Sequence, residues 1–504
     1  MTNPLHEALF APLARRADPV LHLPDGGRIT GRDFHERIGR AVNALAALGL
    51  APGDRLAVQV PKSPDALAVY GAAVAAGVVF LPLNTAYTAD EVAYFVGDAG
   101  VSVLLADPAH AADLAPVAQR TGARLLTLGA AGEGSFAELS AAQAPEYSAQ
   151  HRTEEDLAAL LYTSGTTGRS KGAMLSQGNL LSNARALADA WRFTCDDVLL
   201  HALPIFHTHG LFVATNVSLI TGGSMILLPR FDLDDVIRLL PEATTMMGVP
   251  TFYTRLLEDA RFTRDLVGHI RLFTCGSAPL LAETHRAFEA RTGHRILERY
   301  GMTETNMTTS NPYEGERRAG TVGPPLPGVE LRITDPDSGA LLEQGETGMI
   351  EVRGPNVFQG YWNMPEKTRE EFCEDGYFIT GDLGCIDADG YVQIVGRQKD
   401  LIITGGYNVY PKEVELELDA APGVLESAVI GVPHPDLGEA VLAVLVPEPG
   451  ARPDPNAIAQ GLRDHMARFK QPRAMVLRDA LPRNTMGKVQ KARLREEYAG
   501  HFAG

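Results

Sequence analysis

Apolar residues in the first part of the chain follow two alternating patterns. Four of them after Thr30 lie three or four positions apart, which predicts one buried face of a helix. They are Phe34, Ile38, Val42 and Leu45. The apolar runs 55–60 and 78–83 predict strands, and the run 65–76 between them predicts a buried helix. This strand–helix–strand order predicts a largely parallel sheet covered by helices, and therefore an α/β protein.

The same alternation continues through the middle of the chain. Short apolar runs predict strands at 157–162, 224–228 and 272–275, and a helix is predicted to begin near Ser176. The weakly periodic stretch 130–154, rich in Ala, Gly and Glu, predicts a surface connection. No period of 20–50 residues repeats, which excludes a solenoid or a propeller.

The pattern changes near residues 396–400, where shorter β and α units replace the long alternation. We therefore predict an N-terminal domain over 1–396 and a small C-terminal domain over 397–504. The C-terminal part ends in a basic stretch at 488–495.

Composition and charge exclude several classes of function. The 504 residues contain 45 Lys and Arg against 62 Asp and Glu, a net charge of −17, which disfavours binding to nucleic acid. No apolar run is long enough for a membrane span, and the N-terminus lacks the apolar core of a secretory signal. The four cysteines form no CxxC pair, so a zinc site or a disulfide framework is not expected and a reducing cytoplasm is the predicted location.

The segment TSGTTGRSKG at 163–172 is the strongest local signal for chemistry. Its glycines allow tight turns with inward N–H groups, its hydroxyls add donors, and Arg169 and Lys171 add positive charge, all of which suit a triphosphate. No Walker A spacing fits the segment. Composition alone leaves open a glycine-rich hairpin loop with no ligand.

This segment resembles the phosphate loop of the adenylate-forming superfamily, which includes acyl-CoA synthetases. Four further segments resemble motifs of that superfamily in the same order: 300–304, 377–382, 396–400 and 482–488. The resemblance implies a large N-terminal domain of parallel sheets with helices plus a distorted β-barrel, and a small mobile α+β C-terminal domain. A site for ATP is implied as well.

The resemblance assigns the nucleotide site residue by residue. Tyr300 is expected to stack on adenine, Asp382 to accept both ribose hydroxyls, and Arg397 to reach the ribose or its phosphate. Taken alone, Asp382 fits an Asx-turn equally well. The implied ATP-binding residues are Thr163, Ser164, Gly165, Thr166, Thr167, Gly168, Lys171, Gly276, Ser277, Ala278, Tyr300, Gly301, Met302, Asp382 and Arg397.

The resemblance also implies the catalytic groups. Lys488 is expected to span the acyl carboxylate and the α-phosphate, Thr303 to contact the α-phosphate, and Glu304 with Thr166 to hold Mg²⁺. The alternatives are a helix start at Thr303 and Glu304, and an ordinary solvated lysine at Lys488.

Two further expectations concern the C-terminal part. Lys399 or Asp400 is the expected hinge of a domain rotation between the two half-reactions. Acetylation of Lys488 would remove its charge, so enzymes that acetylate or deacetylate lysine are candidate partners.

The acyl pocket is expected in the middle third. Its segments LPIFHTHGLF, GVPTFYTRLL and ERYGMTETNM resemble malonyl-CoA synthetases, that is, malonate–CoA ligases. The resemblance implies that Arg255 and Ser277 bind the distal carboxylate, beside His209. The residues implied to shape the room around C2 of the acid are Thr208 and Met307.

Two alternatives concern this pocket. Arg255 could instead be an exposed helix residue paired with Asp259. The histidines 201, 207 and 209 lack a local cysteine or carboxylate, which disfavours a metal site.

The implied reaction is the Mg²⁺- and ATP-dependent ligation of malonate, or methylmalonate, to CoA through an acyl-adenylate. A ligase for another short or medium acid is the main alternative. The others are an enzyme that loads a carrier protein and a nucleotide sensor without catalysis.

Overall fold

The computed structural model describes residues 2–163, 170–405, 407–484 and 487–502. The chain divides into two compact units. The large unit comprises Met1–Glu330 and Val352–Phe378, and the small unit comprises Leu331–Glu351 and Ile379–Gly504. The predicted division into an N-terminal domain over 1–396 and a C-terminal domain over 397–504 stays a prediction.

Two sheets form the large unit. Its strands are β1 (Pro19–His22), β2 (Arg28–Thr30), β3 (Arg55–Gln59), β4 (Val79–Pro82), β5 (Val103–Ala106), β6 (Arg124–Thr127), β7 (Leu157–Thr163), β8 (Lys171–Ser176), β9 (Val198–His201), β10 (Ser224–Leu227), β11 (Thr245–Gly248), β12 (Leu272–Cys275), β13 (Leu297–Met302) and β14 (Asn306–Ser310). One sheet has the order β6-β5-β3-β4-β7-β8 and the other β14-β13-β12-β11-β9-β10-β1-β2. Neighbouring strands are parallel except β7–β8, β13–β14 and β1–β2.

Helices cover these sheets, as the alternating pattern predicts. They are α1 (Pro4–Leu9), α2 (Gly31–Ala47), α3 (Pro64–Ala76), α4 (Ala89–Ala99), α5 (Ala111–Thr121), α6 (Ser135–Ala141), α7 (Gln177–Ala190), α8 (Asn216–Ile220), α9 (Leu233–Leu239), α10 (Pro250–Glu258), α11 (Arg264–Val267), α12 (Ala282–Thr292) and α13 (Pro365–Glu370). A π-helical segment spans His209–Thr215, and short 3₁₀ turns span Ala11–Arg15, Pro108–His110 and Leu240–Glu242.

The first predicted helix shows why the local sequence folds as it does. Thr30 accepts a hydrogen bond from the backbone of Asp33 at 3.1 Å, and the Asp33 carboxylate accepts one from the Thr30 backbone at 3.3 Å. This capping box starts α2, and the four predicted apolar residues of its face are all buried. The predicted helix at 65–76 is α3, whose residues 66–75 are all buried.

The small unit carries the remaining elements. They are β15 (Glu330–Thr334), β16 (Gly348–Arg353), β17 (Phe378–Ile386), β18 (Val392–Arg397), β19 (Ile402–Thr404), β20 (Tyr407–Val409), α14 (Pro411–Asp419), β21 (Val424–His434), β22 (Gly438–Pro447), α15 (Pro455–His465), β23 (Ala474–Leu477) and α16 (Lys491–Glu497), with a 3₁₀ turn at Gln398–Asp400. Strands β15–β18 form a four-stranded sheet in chain order, where a distorted barrel was implied. A second sheet has the order β20-β19-β22-β21, and β23 pairs with β22.

The α/β class with parallel sheets and a C-terminal domain is confirmed. The stretch 130–154 is a connection interrupted by the short helix α6, which its weak periodicity did not predict. Among the described residues, no helix combines the length and the apolar character that a membrane crossing needs.

Candidate active site

The hairpin formed by β13 and β14 carries two of the predicted catalytic residues. Thr303 and Glu304 lie in the turn between these antiparallel strands, where Met302 pairs with Asn306. The alternative that they start a helix is therefore wrong. A Cβ on Gly301 would lie 1.8 Å from the Asn306 carbonyl oxygen, so only glycine permits this close turn.

Glu304 joins this hairpin to the first large sheet. Its side chain is buried, and its Oε1 accepts a hydrogen bond from the Tyr361 hydroxyl at 3.0 Å. Thr163, the last residue of β7, places its Oγ1 3.5 Å from the same oxygen. The structure thus brings together Thr163 and Glu304, two residues that the motifs place far apart in sequence.

Lys171 also contacts Tyr361, the residue whose hydroxyl binds Glu304. It is the first residue of β8, and its Nζ pairs with Glu371 Oε1 at 2.8 Å while lying 4.0 Å from the centre of the Tyr361 ring. The Tyr361 hydroxyl donates to Glu371 Oε2 at 2.6 Å. We name Lys171, Glu371, Tyr361 and Glu304 the Lys171–Glu304 network; Glu371 and Tyr361 were not predicted from the sequence.

The charges of this network are well defined. Burial raises the pKa of the Glu371 carboxyl, but hydrogen bonds from Lys171 and Tyr361 lower it more, so the pKa lies below its usual range. Burial and the carboxylates of Glu304 and Glu371 raise the pKa of the Tyr361 hydroxyl. Glu371 is therefore an anion and Tyr361 a neutral donor near neutral pH.

Five predicted ATP-binding residues lie outside the described residues: Ser164, Gly165, Thr166, Thr167 and Gly168. Their roles, and that of Thr166 toward Mg²⁺, stay predictions. The strands on either side are antiparallel and pair Thr163 with Lys171. This pairing fits both a phosphate loop and a simple hairpin.

The predicted acyl pocket begins at the π-helical segment. His209, its first residue, is buried and lies with Nδ1 3.2 Å from the Ser277 hydroxyl. Its Nε2, like the buried Thr208 hydroxyl, has no hydrogen-bond partner within the described residues. Burial, with the nearby Arg299 guanidinium, lowers the pKa of His209 well below its usual value, so the imidazole is neutral. π-Helical turns are often found at functional sites.

The backbone of Ser277 also supports a functional site beside His209. Its φ of +71° lies in the left-handed region, which is uncommon for a residue with a side chain. It follows β12 in the turn that the motif analysis assigned to the nucleotide and to the acid. The Gly276–Ala278 turn therefore holds a strained backbone next to His209.

Arg299 is a functional candidate that the sequence analysis missed. It lies in β13 directly before Tyr300, and only 4% of its surface is exposed. A Cβ on Gly276 would lie 2.3 Å from Arg299 Nη1, so the guanidinium packs against this turn, beside Ser277. Its Nε and Nη2 are buried and make no hydrogen bond in the described part of the chain. Burial lowers the pKa of Arg299 to about 10.

A signal for Arg299 was present in the sequence. Glu298 and Arg299 are consecutive charges in an otherwise apolar strand, where charged residues need partners. Glu298 has one in His285, at 3.1 Å. A buried guanidinium with unused donors favours an anion nearby, and a carboxylate fits its planar fork.

Arg255, the predicted ligand of the distal carboxylate, is exposed on α10, with its guanidinium 5.9 Å from the centre of the Phe231 ring. Within the described residues, Arg255 makes no hydrogen bond to Ser277. Asp259, its alternative partner, pairs with Arg261 at 2.7 Å. The carboxylate-binding role of Arg255 stays a prediction.

The other predicted residues of the large unit occupy their elements as follows. Tyr300 is half-buried in β13, and Met307 is buried in β14. The Met307 backbone exchanges hydrogen bonds with the Asn183 side chain at 3.2 and 2.8 Å. Asn183 thereby fixes the position of Met307, whose effect on the room around an acid stays a prediction.

Asp382 and Arg397, both predicted to bind the ribose, are paired in the small unit. They lie opposite each other on β17 and β18, with Arg397 Nε 2.7 Å from Asp382 Oδ1. Asp382 is buried within a strand, so the Asx-turn alternative is wrong. The pair presents a carboxylate fixed by a guanidinium, which can accept hydroxyl donors.

The remaining predicted residues also lie in the small unit. Lys399 and Asp400 form the 3₁₀ turn after β18, and Asp400 pairs with Arg495 of α16. Desolvation of its ammonium lowers the pKa of Lys399. Lys488 is exposed, and its backbone N–H donates to Asn484 Oδ1 at 2.9 Å. Hinge and catalytic roles stay predictions.

The chain is similar to several known proteins. Residues 10–362 match the family described as AMP-binding enzyme, and residues 413–488 match the AMP-binding enzyme C-terminal domain. The ATP-bound MatB of Rhodopseudomonas palustris is 56% identical, with a TM-score of 0.97 and 100% of both chains covered.

Two curated relatives differ in the acid that their names give. Malonate–CoA ligase of Arabidopsis thaliana is 34% identical over 491 residues, which cover 91% of this chain and 80% of the relative. Feruloyl-CoA synthase of Amycolatopsis sp is 36% identical over 499 residues, which cover 98% of both. Overall identity therefore does not distinguish the two acids.

Proposed function

Because the chain belongs to the family of AMP-binding enzymes, we propose that it ligates malonate to CoA at the expense of ATP. In the first half-reaction, a malonate carboxylate oxygen bonds to the α-phosphorus of ATP and pyrophosphate leaves. In the second, the CoA thiol loses its proton and attacks the acyl carbon, and AMP leaves with the bonding electron pair. The malonate–CoA ligase relative supports this reaction.

The buried guanidinium of Arg299 is the observation that carries the choice of malonate. A dicarboxylate keeps one charged carboxylate after the other is activated, and that charge would pair with the unused Nε and Nη2 donors. The neighbouring Ser277 hydroxyl and neutral His209 add polar contacts. A feruloyl group has no second carboxylate and would leave Arg299 without a counterion, which is energetically unfavourable.

Glu304 is the proposed Mg²⁺ ligand. Mg²⁺ prefers hard oxygen donors, and the buried Glu304 carboxylate beside the Thr163 hydroxyl supplies them. Within the described residues, no three His, Cys, Asp or Glu side chains form a metal cluster. This fits an ion held partly by phosphate oxygens, which it would neutralise during pyrophosphate departure.

The remaining roles in this proposal follow the motif assignments. Thr303 and Lys488 act at the α-phosphate, Tyr300 at adenine, and the Asp382–Arg397 pair at the ribose. Between the half-reactions, the C-terminal domain rotates about Lys399 or Asp400. This rotation moves Lys488 away from the acyl-adenylate and gives the CoA thiol access to it.

Two proposals concern the setting of the enzyme. Exposure of Lys488 supports its acetylation as a means of regulation. A reducing cytoplasm is the proposed compartment, supported by four cysteines that form no disulfide with one another.

If Arg299 binds the second carboxylate of malonate, Arg299→Met should lose activity with malonate selectively. This substitution keeps much of the side-chain volume and removes the charge. Loss of one partner of a buried charge pair costs about 2–5 kcal/mol, so kcat/KM for malonate should fall at least about tenfold. Activity with propionate, which has no second carboxylate, should change little. Steady-state AMP formation with each acid measures both values.

Arg255→Met tests the competing assignment, in which the exposed arginine on α10 binds the distal carboxylate. If Arg299 binds that carboxylate, Arg255→Met should leave malonate kinetics near those of the wild type. Unchanged malonate kinetics in Arg299→Met would remove Arg299 from the acid site. A selective malonate defect in Arg255→Met alone would assign the distal carboxylate to Arg255 instead.

A further inference from the structure

We propose that Glu371 and Tyr361 are positioning residues for the adenylation half-reaction, in that they hold Lys171 and Glu304 in the arrangement that Mg²⁺ and the ATP phosphates require. This inference rests on the proposed function, because Lys171 and Glu304 take part only if ATP binds there. Neither Glu371 nor Tyr361 belongs to the motifs that assign the site. Both lie in the stretch Val352–Phe378, which joins the large unit after the β15–β16 segment.

Glu371 fixes the position of the Lys171 ammonium. A lysine side chain is a flexible four-carbon stem that carries a compact charge, so its position depends on its partners. One oxygen of Glu371 binds Lys171 at 2.8 Å, and Lys367 reaches the same oxygen at 3.2 Å. The centre of the Tyr361 ring lies 4.0 Å from the same ammonium. Lys171 is thereby held by both an anion and an aromatic ring.

Tyr361 transmits this arrangement to Glu304. Its hydroxyl carries a single proton but lies close to two carboxylates, at 2.6 Å from Glu371 Oε2 and 3.0 Å from Glu304 Oε1. It can donate to only one of them at a time. In either case the hydroxyl joins one oxygen of Glu304 to one oxygen of Glu371, so Tyr361 restrains the orientation of the Glu304 carboxylate. Such an outer contact orients a carboxylate that is to bind a metal ion, which fits the proposed role of Glu304 toward Mg²⁺.

A purely structural role is the alternative. The network joins β8 to the segment after α13, and the loss of such contacts would loosen the large unit as a whole. Such loosening would impair both half-reactions and lower the melting temperature. A positioning role instead affects the steps in which ATP phosphates and Mg²⁺ take part.

The test uses the full-length variants Glu371→Gln, Tyr361→Phe and the double variant. Glu370→Gln is the matched control, because Glu370 is the neighbouring carboxylate, with 65% of its side chain exposed against 20% for Glu371. Four quantities are measured for each protein: malonate-dependent ATP–pyrophosphate exchange, thioester formation from pre-made malonyl-adenylate and CoA, melting temperature, and ATP affinity by calorimetry with and without Mg²⁺.

We expect Glu371→Gln to lower kcat for pyrophosphate exchange about tenfold or more, as expected for lost charge-assisted hydrogen bonds. Thioester formation should stay within about twofold of the wild type. Tyr361→Phe should reduce the gain in ATP affinity that Mg²⁺ gives. The double variant should lose less than the product of the two single losses, because both residues act through one network. Glu370→Gln should match the wild type.

Three results would overturn the inference. They are wild-type exchange in Glu371→Gln, equal loss of both half-reactions with a lowered melting temperature, and multiplicative losses in the double variant. Failure of the proposed function would look different, because the wild type itself would then show no malonate-dependent exchange. In that case the effect of Mg²⁺ on ATP affinity still tests the network, since it requires no acid.

Discussion

Single residues decide the chemistry of this chain, and the sequence identifies those that lie in motifs. Glu304 and Thr163 lie 141 positions apart in the sequence but are in contact in the structure, and Asp382 pairs with Arg397 on the neighbouring strand. Both contacts fit the ligands that we propose for these residues. Arg299 was not predicted, because the sequence alone does not show whether a charged residue in a strand has an ion-pair partner in the folded protein. Its unused donors become visible only in three dimensions.

Lys488→Ala is predicted to separate the two half-reactions. The lysine is expected to stabilise charge while pyrophosphate leaves, and to have no part in the attack by the thiol. Pyrophosphate exchange should fall by about 10²-fold or more, while thioester formation from pre-made malonyl-adenylate stays within about threefold of the wild type. Rapid-quench assays of each step measure the two rates.

Arg493→Ala is the control for that experiment, since Arg493 is an exposed cation of the nearby α16. It should behave as the wild type in both steps. Equal impairment of both steps in Lys488→Ala would contradict the division of labour between the half-reactions.

At the scale of elements, local signals predict where helices start better than they predict strand pairing. The capping box at Thr30 and Asp33 starts α2, and Ser176 caps α7 as expected. Strand β8 was not predicted, because it follows a glycine-rich segment and only its antiparallel pairing with β7 defines it. The alternative that a helix starts at Thr303 was wrong for a similar reason, since pairing of β13 with β14 outweighs the local N-cap preference.

Helix α14 provides a pH-dependent test of stability. Burial raises the pKa of Asp419, its last residue, to about 6. The folded protein therefore holds a proton between about pH 4 and 6 that the unfolded chain has released, so the free energy of unfolding falls as pH rises through this range. Asp419→Asn cannot ionise and avoids this loss.

We expect Asp419→Asn to be more stable than the wild type by about 1–3 kcal/mol at pH 7, and equally stable near pH 4. Urea unfolding of the full chain from pH 4 to 8 measures the difference. Glu417→Gln, at an exposed position of the same helix, is the control; because it keeps Asp419, its free energy of unfolding should follow that of the wild type at every pH. A constant difference at all pH values would mean that the carboxyl does not titrate as described.

At the scale of the whole molecule, hydrophobic alternation and ordered motifs were enough to predict the α/β class and the family. The domain boundary was harder to place from the sequence. In the structure, residues 331–351 and 379–396 belong to the small compact unit. The reason is that β15–β18 form one sheet from separate stretches of chain. A change in sequence pattern marks a point along the chain and does not reveal such pairing.

The choice of acid is the least predictable property of the molecule. Relatives named for malonate and for ferulate are 34% and 36% identical to this chain, so overall similarity does not distinguish the two acids. In the proposed function, the side chains of Arg299, Ser277 and His209 would make that distinction.

Acid-dependent AMP formation by the wild-type protein tests the central claim most directly. The assay contains Mg-ATP and CoA with malonate, methylmalonate, succinate, acetate, propionate, octanoate or ferulate. The account predicts that malonate or methylmalonate has the highest kcat/KM, at least about tenfold above every monocarboxylate, because only a short dicarboxylate supplies the counterion for Arg299. Preference for ferulate, octanoate or another monocarboxylate would contradict it.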